Sequence, residues 1–320
     1  MKPLAIVIPA YRTRFLVQAL ESLAAQTNRH FTVYVGDDAS PDDVGSVCAD
    51  WSDRLDLHHV RFDTNLGGHD LVAQWMRCIA LAKEPWVWLF SDDDLMDPGC
   101  VQAWHDAVGR HPGVDLFHFD VLRIDAEGRL LQKEPTFPDR LTARMFLQGR
   151  LLGRLASFAP DYVFRRAALE NVAGFQSFPL AWCSDDATWI KLSSRGGGIH
   201  AIRGPSVRWR YSGSNISSSG NVGLARQKAE AALQFLEWLD AQLSLLPVEP
   251  GDPDDGALFR DARYWFYQQV SALGLRFTGL HWWSMAVRLG RLKHHSVAGT
   301  LLRMARSDWA LRKQSMTSGA

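Results

Sequence analysis

Two clusters of aspartates each follow an apolar stretch of the sequence directly, and they are the side chains best placed to do chemistry. They are Asp37 and Asp38 after residues 31–35, and Asp92, Asp93 and Asp94 after residues 86–90. Neighbouring carboxylates repel one another unless a cation or hydrogen-bond donors neutralise them. Their oxygens suit Mg²⁺ or Mn²⁺, and Mg²⁺ usually takes one or two protein carboxylates together with waters and substrate phosphates. The pattern predicts a metal site that accepts a diphosphate; the alternative is a solvated turn or helix cap.

The sequence around these clusters alternates between strand and helix patterns. Short apolar runs predict strands at 4–8, 31–35 and 86–90, and apolar residues at helical spacing predict helices at 14–26 and 71–82. The order β-α-β-α-β indicates a parallel sheet covered by helices. Both aspartate clusters then lie beyond the carboxyl ends of strands, where such sheets bind ligands.

Composition excludes several classes of protein. The chain has 320 residues, 47% of them hydrophobic, with 35 basic and 35 acidic side chains, so it lacks the overall positive charge that nucleic-acid binding requires. Its four cysteines are widely spaced and form no zinc motif. No window reaches the 18 apolar residues that a membrane span needs. These features predict a reduced, cytoplasmic protein that does not bind nucleic acid.

Five motifs occur in an order that carries a family resemblance. They are IPAYR at 8–12, GDDAS at 36–40, NLGG at 65–68, SDDD at 91–94 followed by Pro98, and SDDATW at 184–189. This series resembles the family 2 glycosyltransferases of the GT-A fold over roughly residues 3–218. The resemblance implies an α/β fold, Rossmann-like, with a mixed and mostly parallel sheet and helices on both faces. We expect this domain at 1–219 and a helical C-terminal region at 220–320.

The resemblance implies a nucleotide-sugar site built from the first four motifs and a later arginine. Pro9, Tyr11 and Arg12 would shape the nucleotide pocket, and Asp38 would accept a hydrogen bond from a uracil or thymine base. Asp92 would contact the ribose or a metal-bound water, and Asp93 and Asp94 would hold Mn²⁺ or Mg²⁺. Arg210 would bind phosphate. Two positions depart from the family pattern. Ser91 stands where the first metal-motif acid is expected, and Ser212 where a histidine is common. The alternative for Arg210 is a surface salt bridge.

The fifth motif supplies the predicted acceptor side. Asp186 resembles the catalytic base, because an attacking hydroxyl must lose its proton to a carboxylate opposite the leaving diphosphate. Asp185 and Trp182 are predicted to bind the acceptor. The alternatives are a helix cap for the aspartates and ordinary packing for the tryptophan.

The C-terminal region has helical patterning and a basic surface. From residue 257 onward it carries ten Lys or Arg and two Asp, a charge of +8. The segment 281–293 is amphipathic, basic and rich in tryptophan, which is typical of helices that lie on an anionic membrane. The alternative is packing against the catalytic domain or against a second copy of the chain.

Together these observations predict an inverting, metal-dependent glycosyltransferase. The donor would be a nucleoside-diphosphate sugar, UDP- or dTDP-linked, and the acceptor a saccharide or a lipid-linked hydroxyl. The resemblance suggests assembly of a surface polysaccharide or glycoconjugate, in the cytoplasm or on the inner face of the membrane. The alternatives are a sugar-nucleotide pyrophosphorylase, which the missing early Gly-rich phosphate loop disfavours, and a non-catalytic carbohydrate- or membrane-binding protein with a decayed transferase domain.

Overall fold

The computed structural model describes residues 2–213, 222–273 and 280–292. Within them a ten-stranded sheet runs through the molecule. The strands are β1 (Leu4–Ala10), β2 (Phe31–Asp37), β3 (Leu57–Arg61), β4 (Trp86–Leu89), β5 (Leu95–Met96), β6 (Leu116–Ile124), β7 (Leu130–Lys133), β8 (Arg140–Leu141), β9 (Tyr162–Arg165) and β10 (Ile199–Arg210). The helices are α1 (Leu16–Ala24), α2 (Val44–Ala49), α3 (Leu71–Ile79), α4 (Cys100–Arg110), α5 (Ala143–Leu151), α6 (Arg166–Asn171), α7 (Ser184–Ser193), α8 (Val222–Gln242), α9 (Asp255–Ala272) and α10 (Leu280–Gly290).

The sheet is mixed and mostly parallel, which confirms the predicted fold class. Its order is β3-β2-β1-β4-β9-β6-β10-β5, with β7 beside β6 and β8 beside β10. Strands β1 to β4 pair in parallel. Strand β9 lies between β4 and β6 and runs antiparallel to both, so β6 has the direction of β4. Strand β9 thus joins the Rossmann-like half of the sheet, β3-β2-β1-β4, to the second half, β6-β10-β5.

Strand β1 lies at the centre of the first half because its side chains are apolar on both faces. All five residues from 4 to 8 have no solvent exposure, as expected for a parallel strand covered by helices on each side. Even-numbered residues of β1 join one hydrophobic core, and Ala5 and Val7 join the other. The alternation of side chains along the strand therefore builds a core on each face of the sheet.

The helical C-terminal region shares a core with the sheet. Leu233 and Leu236 of α8 and Phe266 of α9 belong to the same buried cluster as Val7 of β1. Arg144 of α5 is buried and donates to the carbonyl oxygens of Pro247 and Leu243, both at 3.2 Å. The predicted units 1–219 and 220–320 are thus joined by apolar packing and by a buried arginine.

The described part of the predicted membrane helix packs within the protein. Met285 and Leu289 of α10 are buried, and Arg288 pairs with Glu237 of α8 at 2.6 Å and with Glu230 at 2.7 Å. The apolar side chains at 285 and 289 are therefore covered by protein rather than available to a lipid surface, which favours the packing alternative. The side chains at 281–283 and residue 293 lie outside the described residues.

Within the described ranges, no helix combines the length and apolar character needed to cross a membrane.

Candidate active site

A cavity of about 740 Å³ opens at the carboxyl ends of β1 and β4. Pro9 and Tyr11 border it at the end of β1, and Asp92 and Asp93 border it after β4. Its remaining walls come from α3, from α5, from residues 157–160 and 180–186, from Trp209 of β10 and from α9. The sheet thus places the second aspartate cluster where parallel sheets bind ligands.

The turn after β4 holds three aspartates in three different environments. Asp92 accepts hydrogen bonds from the backbone N–H groups of Tyr11 at 3.1 Å and Arg12 at 3.4 Å, which ties this turn to the loop after β1. Asp93 faces the cavity, and burial together with the charge of Asp92 raises its pKa to about 7. Asp94 has no solvent exposure, and burial raises its pKa well above the usual range.

These acids suit a divalent cation, although the described residues contain no cluster of three or more His, Cys, Asp or Glu arranged to hold one. Asp93 borders the cavity, and no side-chain cation is hydrogen-bonded to its carboxylate in the described part of the chain; the guanidinium of Arg210 donates to its backbone carbonyl instead. Asp94 lies deeper, where its Oδ1 accepts from the backbone N–H of Arg210 at 2.7 Å. One or two carboxylates suffice for Mg²⁺ when a substrate supplies phosphate oxygens. Asp93 therefore fits the ion from the cavity wall, and Asp94, the other predicted ligand, lies behind it with its Oδ2 buried and without a hydrogen-bond partner among the described residues.

A second acidic pair begins helix α7 on the wall of the same cavity. Asp186 is 8% exposed and forms a two-pronged ion pair with Arg150 of α5, at 2.8 Å from Nε and 3.0 Å from Nη2. Arg150 also donates to the carbonyl of Leu155 at 2.6 Å, so its guanidinium is fixed from two sides. The pKa of Asp185 is raised to about 7 by burial first and by the charge of Asp186 second. This pair thus consists of one carboxylate with a bidentate partner and one that has none among the described residues.

The chain that leads into α7 is strained. Leu180, Ala181 and Cys183 all have positive φ, at 60°, 54° and 65°, and each such non-glycine residue costs on the order of 1–3 kcal/mol. The side-chain hydroxyl of Ser184 helps hold the segment by accepting from the N–H of Phe178 at 3.1 Å. Because these residues border the cavity, the strained conformation shapes the wall next to Asp185 and Asp186.

Four tryptophans give the cavity an aromatic lining. They are Trp75, Trp182, Trp209 and Trp265. Trp209 stacks on Phe158 with 4.3 Å between ring centroids, and the ammonium of Lys228 lies 4.9 Å from the ring centre of Trp182. An aromatic surface beside carboxylates suits a ligand with both apolar faces and hydroxyl groups.

Comparison with known proteins assigns the family. The family model described as Glycosyl transferase family 2 matches residues 5–169, just over half of the chain. The chain belongs to glycosyl transferase family 2. Membership makes the protein a glycosyltransferase, and the predicted resemblance is confirmed. A search of the curated proteins finds no match.

Solved structures similar to this transferase share its fold. S. aureus TarS residues 1–349, in complex with UDP-GlcNAc, has a TM-score of 0.60 and 15% identity, with 99% of this chain and 92% of that one covered. A second crystal structure of S. aureus TarS gives a TM-score of 0.58 at 16% identity, with 98% of this chain and 55% of that one covered. The mannosyltransferase PcManGT from Pyrobaculum calidifontis, with GDP-Man and Mn²⁺, gives 0.52 at 17%, covering 96% and 87%. At these identities the likeness establishes the GT-A fold of the transferase.

The geometry does not fit the predicted contact between Asp38 and a nucleotide base. Its Oδ1 accepts from Leu66 N at 2.7 Å and from Arg77, and its Oδ2 accepts from Gly67 N at 2.8 Å and Asn65 Nδ2 at 3.1 Å. A carboxylate has about four acceptor positions, and protein donors take all four. Asp38 therefore fixes the loop 65–68 instead of facing the cavity, and we do not retain it as a base contact.

Arg210 also departs from its predicted role. The residue is fully buried, and its guanidinium donates to the backbone carbonyl of Asp93 at 2.7 Å, to that of Ala126 at 2.8 Å and to Gln18 at 2.8 Å. It ties β10 to the turn after β4 and to α1 rather than presenting N–H groups to a phosphate. Arg210 therefore stabilises the turn after β4 through the backbone carbonyl of Asp93.

The other predicted residues divide between the cavity and its edge. Pro9, Tyr11, Asp92 and Trp182 border the cavity. Arg12 lies outside the lining and pairs with Asp42 at 3.5 Å, with its guanidinium 4.9 Å from the ring centre of Tyr11. Ser212 follows β10 near the end of the described range 2–213.

Sequence reasoning missed three parts of the site. Arg150 lies 36 residues from its partner Asp186 and carries no motif. Trp265 and Gln269 line the cavity from α9, in the region predicted to lie outside the transferase domain. The aromatic run at 264–267 was the one available signal, and it is equally typical of a packed helix.

Proposed function

We propose that the protein transfers a sugar from a nucleoside-diphosphate donor to an acceptor hydroxyl, with inversion at the anomeric carbon. The observation that carries the proposal is that Asp93 and Asp186 line one cavity. In this proposal Asp93 serves a metal-associated diphosphate, and Asp186 takes the proton of the acceptor. TarS with UDP-GlcNAc and PcManGT with GDP-Man and Mn²⁺ support the donor class and a divalent ion. Because Asp38 is occupied by protein donors, we propose no preference for a particular base.

The proposed reaction is a single displacement. The acceptor oxygen attacks the anomeric carbon from the side opposite the diphosphate, the bond from that carbon to the diphosphate oxygen breaks, and the nucleoside diphosphate leaves. Asp186 takes the proton of the acceptor hydroxyl as general base. Asp93 would hold a divalent cation, which would supply positive charge that neutralises the leaving diphosphate.

Arg150 is proposed as the residue that positions the base. Its planar fork holds both oxygens of Asp186 in one plane, and such bidentate pairs fix orientation more strictly than single contacts do. Asp185, with its pKa near 7, is proposed to contact the acceptor through hydrogen bonds. The biological setting that we propose, assembly of a surface polysaccharide or glycoconjugate in the cytoplasm, rests on family resemblance alone.

Turnover of nucleotide sugars by the purified protein tests the proposal. We expect a panel of UDP-, dTDP- and GDP-sugars with Mn²⁺ or Mg²⁺ to reveal a donor that is cleaved and that stabilises the protein thermally. Asp186→Asn should then lower turnover by about 10²–10⁴-fold, the range for a positioned base, while donor binding measured by calorimetry stays near that of the parent. Equal loss of binding and turnover would make Asp186 a structural cap. If the parent neither binds nor cleaves any donor, the non-catalytic alternative replaces the proposal.

A further inference from the structure

Helix α9 carries two side chains that border the active-site cavity. Trp265 and Gln269 both line it, together with Trp182, Asp185 and Asp186. Residues four apart lie on the same face of a helix, so α9 presents an aromatic ring and an amide side by side. The helix lies beyond residues 5–169, the part of the chain that the family model matches.

The same helix is held on the element that carries the positioning arginine. Gln148 of α5 donates to Asp261 of α9 at 3.0 Å, and Arg144 of α5 pairs with Asp255 of α9 at 2.7 Å. Arg150 is on α5 as well. Because one helix supports both Arg150 and α9, the position of Trp265 is fixed relative to Asp186.

The ring of Trp265 is anchored and only partly covered. It meets Phe235 of α8 edge to face, with 5.4 Å between ring centroids, and the residue keeps intermediate exposure. Elsewhere in the sequence, Trp182 borders the same cavity three residues before Asp185 and has the cation of Lys228 beside its ring. Two tryptophans and an amide therefore line the same cavity as the acids of α7.

This combination matches the chemistry of a sugar ring. A pyranose has an apolar face of C–H groups that packs on an aromatic plane, and hydroxyl groups at its edge that an amide can both donate to and accept from. We propose that Trp265 and Gln269 of α9 form, with Trp182, a saccharide-binding subsite for the acceptor. The helical C-terminal region then selects the acceptor. This inference rests on the proposed transferase function and adds the substrate class at its acceptor side.

The test compares cavity-facing residues of α9 with their solvent-facing neighbours. The variants are Trp265→Ala, Trp265→Phe and Gln269→Ala, with Tyr264→Ala and Gln268→Ala as matched controls. Tyr264 is 58% exposed and Gln268 is exposed, so the controls remove an aromatic side chain and an amide side chain from the solvent-exposed surface of the same helix. Thermal melting of each variant checks that the fold is kept, and Trp265→Phe retains an aromatic ring against Phe235.

The first readout is the binding of a panel of mono- and disaccharides, measured by saturation-transfer NMR. The others are the acceptor KM and the rate of donor hydrolysis without acceptor. We expect Trp265→Ala and Gln269→Ala to weaken saccharide binding and raise acceptor KM, by about tenfold or more for the tryptophan. Donor hydrolysis and nucleotide binding should stay within about twofold of the parent, as should every property of the controls. Trp265→Phe should recover part of the loss.

Three results would overturn the inference. The first is saccharide binding that is unaffected by Trp265→Ala, the second is absence of saccharide binding to the parent, and the third is parallel loss of nucleotide and saccharide binding in a folded Trp265→Ala protein. Failure of the proposed function looks different, because no nucleotide sugar would then bind or be cleaved by any variant, parent included.

Discussion

The acidic turns after β2 and after β4 look alike in sequence and differ in how their charges are satisfied. Both follow apolar strands on either side of β1. After β2, Asp38 receives four protein hydrogen bonds, and Asp37 pairs with Arg61 at 2.7 Å. After β4, Asp93 faces a cavity beside Asp92, and its pKa is raised to about 7. Protein donors satisfy the acids of the first turn, whereas the second turn leaves Asp93 facing the cavity, where we propose a cation.

Whether an acid completes a structural turn or stays open towards a cavity depends on the donors around it, rather than on the acid itself. The α7 pair lies between these two cases, because both of its acids border the cavity. Asp186 has a guanidinium on both oxygens, while Asp185 has a raised pKa. Substitutions that remove an acid or its donors therefore have different consequences in the two turns.

The largest effect on stability is expected in the turn after β2. Asp38→Asn removes the ion pair with Arg77 and leaves donors of the 65–68 loop unpaired, and breaking such a buried pair costs about 3–5 kcal/mol. Asp93→Asn without metal should leave the free energy of unfolding unchanged or higher, because it removes a charge that burial disfavours. Urea denaturation of the two variants makes the comparison. Similar losses of unfolding free energy in both variants would show that the two turns do not differ in how far protein donors satisfy their acids.

The next largest effect is expected on turnover, when the pairing of Arg150 with Asp186 of α7 is changed. Arg150→Lys keeps the charge but gives up the two-pronged contact, and a base misplaced by about 1 Å loses on the order of 10² in rate. We expect kcat to fall by about that factor with donor binding unchanged, in steady-state and calorimetric measurements. A lysine variant with the kcat of the parent would mean that the charge alone matters and that Arg150 does not position Asp186.

A smaller effect is expected from the glycine that lets the 65–68 loop approach Asp38. A Cβ at Gly67 would lie 2.8 Å from Asp38 Oδ2, so Gly67→Ala should destabilise the protein by about 1–3 kcal/mol. A Cβ at Gly109 of α4 would meet no atom of the described residues within 4 Å, and Gly109→Ala should instead stabilise by about 0.5–1 kcal/mol. Thermal melting distinguishes the two. A tolerated Gly67→Ala would argue against the tight packing of the Asp38 turn.

The first half of the fold was predictable because local patterns decide it. Strands at 4–8, 31–35 and 86–90 appear as β1 (Leu4–Ala10), β2 (Phe31–Asp37) and β4 (Trp86–Leu89), and the helix predicted at 71–82 appears as α3 (Leu71–Ile79). Strand β9 was not predicted, because its four residues gain their place from antiparallel pairing with β4 and β6.

The candidate site was predicted where an acid follows a strand and was missed where long-range packing places a partner. Asp93 and Asp186 could be named from motifs. The four donors to Asp38, the pairing of Arg150 with Asp186 and the approach of α9 to the cavity depend on contacts between residues far apart in the chain. No spacing in the sequence encodes those contacts.

Calorimetric titration of UDP with Mn²⁺ into the parent, Asp93→Asn and a folded preparation of Asp38→Asn tests whether the turn after β4, and not the turn after β2, binds the metal and the diphosphate. The account predicts that metal-dependent binding is lost in Asp93→Asn, since a neutral amide cannot replace a carboxylate next to the cation, and is retained in Asp38→Asn at temperatures where that variant is folded. Retained binding in Asp93→Asn together with loss in folded Asp38→Asn would contradict it, and would return the nucleotide to the turn after β2.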